Sequence, residues 1–206
     1  MKTLKLASIL TFSNVIIQAW RPLKLINGNF ENTSELLIFQ NGVEKTVGGF
    51  NETIEIDRKE FSLRFYNKRY DAENDKFYSA QIAAFIDKTE FDSIRVGIAK
   101  SDLPCFEPGS GMAPSKSGKY ESLIFKNSGH HYTTYENSDS KRLKLLEDKG
   151  DLLKLEFEIT SLYYDSKKIK MKNTKLNEFY IAFLIDANLN GMVDEGELHK
   201  VTIKVK

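Results

Sequence analysis

Residues 186–197 carry oxygen-bearing side chains at a spacing that could hold a metal ion. Numbered from its first residue, the stretch DANLNGMVDEGE has such side chains at positions 1, 3, 5, 9 and 12, with Gly191 at position 6. A hard cation such as calcium takes six to eight oxygen ligands with little geometric demand. Glycine reaches positive φ at little cost, so Gly191 lets the chain turn back over the ion. The predicted ligands are Asp186, Asn188, Asn190, Met192, Asp194 and Glu197.

These six residues differ in what each would contribute. The side chains at positions 1, 3 and 5 offer one oxygen each, and Met192 offers its backbone carbonyl. Asp194 usually acts through a water, and Glu197 closes the shell with two oxygens. Three carboxylates are a modest charge for such a site, which predicts a weak affinity, on the order of 10⁻⁴–10⁻³ M. The alternative interpretation is an Asn/Gly-rich turn that binds nothing.

The segments on either side of this loop have the residue pattern of β-strands. Upstream, residues 179–185 form an uninterrupted apolar run, FYIAFLI. Downstream, apolar and polar residues alternate through residues 201–205. Alternation and enrichment in β-branched and aromatic residues favour strands, although Leu198 and Val201 could also share one face of a helix. We therefore expect a β-hairpin whose turn is the metal-binding loop.

Residues 179–205 resemble the EF-hand-type calcium loops, of pattern D-x-N-x-N/D-G, that lie between strands in secreted bacterial β-domains. The resemblance is carried by the apolar strand that enters the loop, the spacing from Asp186 to Gly191, and the Gly196-Glu197 pair that ends it. It covers this segment alone. The resemblance implies a structural calcium ion and export from the cell, and it says nothing about an enzymatic activity.

The rest of the chain predicts further strands and no amphipathic helix. Residues 61–65 and 153–159 alternate apolar with polar side chains, and the pair Asn41-Gly42 is a hairpin turn signal. The alternation in residues 94–98 predicts another strand. About eleven short strands with turn signals between them favour an all-β fold. We predict an antiparallel β-sandwich, jelly-roll-like, that ends in the calcium-loop hairpin.

Length and composition are those of an ordinary soluble globular protein. The 206 residues fit one domain or two small ones, with a possible subdivision near residue 101. The net charge of +1 gives no electrostatic basis for binding nucleic acid or an anionic membrane. Because Cys105 is the only cysteine, no internal disulfide can form. No base stands beside Cys105 in the sequence, so we interpret it as a packed residue.

Residues 1–19 have features of a signal peptide. Lys2 and Lys5 precede a largely apolar stretch up to Ala19, where cleavage would leave residues 20–206 as the β-sandwich domain. Polar residues dilute this stretch, and a first strand of the domain is the alternative. The stretch is too short to span a bilayer. Together with the loop, it predicts a protein exported to the periplasm, the cell surface or the medium.

A second set of candidate residues follows the Gly/Pro-rich stretch 101–119. Its aromatic and hydrogen-bonding side chains suit stacking on a sugar or contact with a protein, and it consists of His130, His131, Tyr132 and Tyr135. Adjacent histidines on a strand face opposite ways and are poorly placed to share one metal. The sequence contains no recognised catalytic motif, so we predict no catalytic residues. It favours a module that binds a glycan or protein over the alternative, a secreted hydrolase with its site under the 101–119 loop.

Overall fold

The described part of the chain is built of β-strands arranged in two five-stranded sheets and a two-stranded ribbon. The computed structural model describes residues 35–48, 51–106, 143–164 and 167–206, and the backbone of residues 132–133. All of these residues belong to one compact unit, residues 32–206. The prediction of an all-β, sandwich-like fold is confirmed.

The strands follow one another with one short helix among them. In chain order the elements are β1 (Leu36–Gln40), β2 (Val43–Val47), β3 (Glu52–Ile56), β4 (Phe61–Lys68), β5 (Ala80–Phe85), α1 (Lys88–Ser93), β6 (Tyr132–Thr133), β7 (Leu143–Asp148), β8 (Leu152–Ile159), β9 (Ser161–Tyr164), β10 (Lys167–Lys170), β11 (Glu178–Ile185) and β12 (Leu198–Val205). Short 3-10 turns occupy Lys100–Asp102, Pro104–Phe106 and Met171–Asn173.

Pairing between strands is mostly antiparallel. The first sheet has the order β2-β1-β4-β8-β7, and every neighbouring pair in it is antiparallel. The second sheet has the order β3-β12-β11-β5-β6. Its one parallel pair joins β3 to β12, and strands β9 and β10 form a separate antiparallel ribbon. Among the described strands the sheets are therefore open, with edges at β2, β7, β3 and β6.

The main core lies between the two sheets. Alternation along β4 and β8 turns their apolar side chains to one face, where they meet the inward-facing residues of β11 and β12. The rings of Phe61 and Phe179 have centroids 6.2 Å apart, and those of Phe65 and Phe183 are 4.9 Å apart. Because each pair brings together one ring from each sheet, the two sheets enclose a single hydrophobic core.

A second, smaller core covers the outer face of the second sheet. Helix α1 and the two 3-10 turns after it place Phe91, Leu103 and Phe106 against this face, and Phe91 stacks on Tyr180 at 5.1 Å. Strand β11 is therefore buried on both faces, which explains its uninterrupted apolar run. Within the residues described here, no helix is long and apolar enough to cross a membrane.

Two local predictions were wrong in this covering segment. The sequence predicted strands and no amphipathic helix, but the six-residue α1 begins after Asp87, whose carboxylate accepts a hydrogen bond of 2.7 Å from the Thr89 N–H. Residues 94–98 are not a strand, because the chain turns there and Gly97 takes a φ of 85°. Ile94 is buried while Val96 is exposed, so the alternation of apolar residues does not mark one buried face.

Candidate metal centre

The predicted metal-binding loop joins the two longest strands of the second sheet. Strands β11 and β12 pair from Glu178 opposite Lys204 up to Leu184 opposite Leu198, and residues 186–197 span the end of this ladder. The Ile185 N–H donates to the Glu197 carbonyl at 3.3 Å, which brings the two ends of the loop together. The loop therefore starts and finishes on a rigid hairpin.

Asp186, at position 1, is buried and organises the first turn of the loop. One of its carboxylate oxygens accepts the N–H of Asn190 at 3.1 Å, and the other accepts the N–H of Gly191 at 3.0 Å. Gly191 has a φ of 77°, in the left-handed region that favours glycine. Open space surrounds the place where its Cβ would lie, so backbone conformation, rather than crowding, calls for glycine here.

The side chains at positions 3, 5 and 9 form a connected group. The side-chain oxygen of Asn188 accepts the Asn190 N–H at 2.9 Å, and that of Asn190 accepts the Met192 N–H at 2.7 Å. Both amide nitrogens donate to the same oxygen of Asp194, each at 2.7 Å. Hydrogen bonds thus connect three of the five predicted side-chain ligands, Asn188, Asn190 and Asp194.

Glu197, at position 12, has a fully buried side chain. Its two carboxylate oxygens accept the N–H groups of Ala187 at 2.8 Å and of Asp194 at 3.2 Å. Burial raises the pKa of Glu197, against the lowering effect of these two hydrogen bonds, and the negative charges of Asp186 and Asp194 raise the pKa further. A cation beside this carboxylate would favour its ionised form.

Residues 97–100 form backbone hydrogen bonds with the loop. The carbonyls of Gly191 and Val193 accept the N–H groups of Lys100 at 2.9 Å and of Gly97 at 2.8 Å. Met192 lies between Gly191 and Val193, and in an extended segment its carbonyl would point the opposite way, towards the loop. This is the direction that a ligand at position 7 needs. Val193 at position 8 is fully buried in the second core.

Lys100 is a member of this site that the sequence analysis missed. Its Nζ lies 2.5 Å from Oδ2 of Asp186, and its own backbone N–H holds the Gly191 carbonyl. A second lysine, Lys68, donates to the Ala187 carbonyl at 3.2 Å. No local pattern marks either residue, because both are distant in the sequence and approach the loop only in the folded chain.

The donor set consists of hard oxygen ligands, as calcium prefers. Across the ranges that the structure describes, no group of three or more His, Cys, Asp or Glu side chains is arranged to hold a metal ion. A site in this loop would therefore depend on the amide oxygens of Asn188 and Asn190 and on the Met192 carbonyl beside its three carboxylates. The chemistry of these groups fits calcium better than a transition metal, because nitrogen and sulfur ligands do not take part.

The other candidate residues fall largely outside the described ranges. This applies to His130, His131 and Tyr135 and to residues 107–119 of the long loop. Tyr132 is described by its backbone alone, which pairs with Gln81 at the edge of the second sheet. Burial raises the pKa of the Cys105 thiol to about 12, which agrees with our interpretation of Cys105 as a packed residue.

Comparisons with known proteins give no family for this chain. No protein-family model matches it, and neither does any curated protein.

Proposed function

We propose that residues 186–197 bind calcium and that the chain is an exported, calcium-stabilised β-sandwich that binds a glycan or a protein. One observation carries the calcium proposal: the hairpin loop gathers oxygen-bearing side chains at positions 1, 3, 5, 9 and 12, with Asp186 and Glu197 buried. Buried carboxylates placed close together repel one another, and a divalent cation removes that cost.

A structural role for the ion is supported by the position of the loop in the fold. The loop connects β11, which is buried on both faces, to β12, and its Val193 lies in the second core. Calcium in the loop would hold the hairpin and residues 97–100 together. An ion that binds the folded chain and not the unfolded chain raises the free energy of unfolding.

Export and ligand binding are supported by sequence features that lie largely outside the described residues. Residues 1–19 have the charge and hydropathy of a signal peptide, and residues 130–135 supply histidine and tyrosine side chains suited to sugar or protein contacts. A weak site with three carboxylates would fill where calcium is at millimolar concentration, as it is outside cells. A calcium site of this affinity therefore suits an exported protein, because export would bring the chain to the calcium concentration that the site needs.

Thermal unfolding with and without calcium tests the calcium proposal. We expect about 10 mM calcium to raise the melting temperature by roughly 3–10 °C over the value in chelator, from the affinity expected of such a site and the size of the chain. Asp186→Ala should abolish the rise. Glu195→Gln is the matched control, because Glu195 is an exposed acid in the same loop and is not a predicted ligand; it should keep the rise.

The outcome that would contradict the calcium proposal is equally simple to measure. If calcium leaves the melting temperature of the wild-type chain unchanged, residues 186–197 are an ordinary hairpin turn. A rise that persists in Asp186→Ala would place the bound ion elsewhere. If the rise behaves as expected, glycan and protein arrays probed in the presence of calcium then test the binding role.

A further inference from the structure

Lys100 brings a positive charge to the first predicted ligand of the loop. Its Nζ lies 2.5 Å from Oδ2 of Asp186, and the two side chains are 26% and 5% exposed. The same carboxylate accepts the N–H groups of Asn190 and Gly191. Lys100 therefore completes the surroundings of a buried anion, which would otherwise depend on two backbone N–H groups.

The backbone fixes Lys100 at this place. Its N–H donates to the Gly191 carbonyl at 2.9 Å, and the residue before it, Ala99, forms an antiparallel bridge with Met192. Its own carbonyl accepts the N–H of Leu103, a buried residue, at 2.9 Å. Lys100 is thus anchored on both sides of its Cα, and its ammonium needs little further ordering to reach Asp186.

An ammonium at this distance opposes the binding of a divalent cation. Like charges a few ångströms apart repel by an energy that grows as the surroundings become less polar, and Asp186 is buried. Calcium must either displace the ammonium from Asp186 or bind beside it, and each course weakens binding. Lys68 differs, because it donates to the Ala187 carbonyl, which is not a predicted ligand.

We infer that Lys100 is an internal counter-ion of the loop, one that stabilises the calcium-free chain and lowers the affinity of the loop for calcium. This inference rests on the proposed calcium site. With Lys100 in this place, the site would fill only at high calcium concentration. Filling it would weaken the Lys100–Asp186 ion pair, whereas the backbone hydrogen bonds from Gly97 and Lys100 to the loop carbonyls would keep this segment on the loop.

The test measures two quantities, the Kd for calcium by isothermal titration calorimetry and the melting temperature in chelator. It compares four proteins: wild type, Lys100→Met, Lys100→Arg and Lys88→Met. Lys100→Met should bind calcium at least about tenfold more tightly and melt at a lower temperature in chelator, because Asp186 then lacks its cation. Lys100→Arg keeps the charge and should stay within about threefold of the wild-type Kd. Lys88 is exposed and pairs with Asp92, so Lys88→Met controls for the change in net charge.

Each outcome separates this inference from the proposed function. If wild type and Lys100→Met bind calcium with the same Kd, the counter-ion role is wrong and the calcium site stands. If neither binds calcium, the site itself fails and the counter-ion role fails with it. Should Lys100→Met not fold, Lys100→Gln replaces it, with tighter binding again expected and an unchanged Kd again contradicting the inference.

Discussion

Two buried charged side chains show how differently this fold treats anions and cations. Lys200 lies on the outer face of β12, where its Nζ donates to the Ile94 carbonyl at 3.0 Å and sits 4.2 Å from the centre of the Phe91 ring. Burial lowers the pKa of Lys200 and raises that of Glu197, in each case towards the neutral form. Lys200 is stabilised by a carbonyl and a ring, whereas Glu197 accepts two backbone N–H groups but also has two further carboxylates nearby.

At the residue scale, we predict that Cys105 is unreactive in the folded chain. Because burial raises the pKa of its thiol to about 12, almost no thiolate exists at pH 8. A chromogenic disulfide reagent should therefore react with the native protein far more slowly than with the protein in denaturant. Equal rates in the two conditions would show an accessible, ionised thiol and would contradict the interpretation of Cys105 as a packed residue.

Much of the candidate site could be predicted from single residues, but its neighbours could not. The spacing from Asp186 to Glu197 predicts the candidate ligands because a loop of this kind is local in sequence. Lys100 and Lys68 were missed because they reach the loop through tertiary structure. The burial of Lys200 was also invisible, since in an alternating strand it occupies a position that would face solvent if α1 did not cover it.

Among the elements, the strands that could be predicted are those in which apolar residues alternate with polar ones. Strands β4 and β8 alternate because the apolar residues of each point to the main core, and Asn41-Gly42 makes the turn that its sequence indicates, with φ values of 53° and 81°. Helix α1 was missed because six residues are too few to establish a helical period. A local signal was present nevertheless: Asp87 is followed three residues later by Glu90, as in a capping box.

At the element scale, we predict that Gly42→Ala destabilises the β1–β2 hairpin. Gly42 has a φ of 81°, and no atom lies within 4 Å of where a Cβ would stand, so the cost comes from backbone conformation alone. We expect a loss of about 1–2 kcal/mol in the free energy of unfolding. Urea denaturation should show a lower midpoint with an unchanged slope.

Gly48→Ala is the matched control for this hairpin prediction. Gly48 lies just after β2, its φ is outside the left-handed region, and a Cβ there would make an ordinary contact of 3.6 Å with Glu52. Its effect should be small and could be stabilising, because alanine restricts the unfolded chain. An equal loss in both variants would contradict the backbone argument.

On the scale of the whole molecule, β11 connects the two cores. Its odd-numbered residues Phe179 to Ile185 face the main core, and Tyr180, Ala182 and Leu184 face the layer formed by α1 and the 3-10 turns. The sequence predicted a sandwich from strand number and alternation. It could not predict the order of the strands or the covering layer, because both depend on contacts between distant segments.

We predict that Phe65 and Phe183 are energetically coupled across the sandwich. Their ring centroids are 4.9 Å apart with an interplanar angle of 55°, a favourable tilted arrangement between the two sheets. A double-mutant cycle with Phe65→Leu and Phe183→Leu should give a coupling free energy of about 0.5–1.5 kcal/mol. Strictly additive losses would mean that the sheets do not share this contact in solution.

The parallel pairing of β3 with β12 also has a consequence for how the protein is made. Residues 52–56 lie beside residues 201–205, so among the described strands β3 has one neighbour in the second sheet, and that neighbour is the last strand, β12. During translation, β3 leaves the ribosome long before that neighbour exists. The second sheet is therefore expected to be completed after synthesis of β12, and the nascent chain stays open until then.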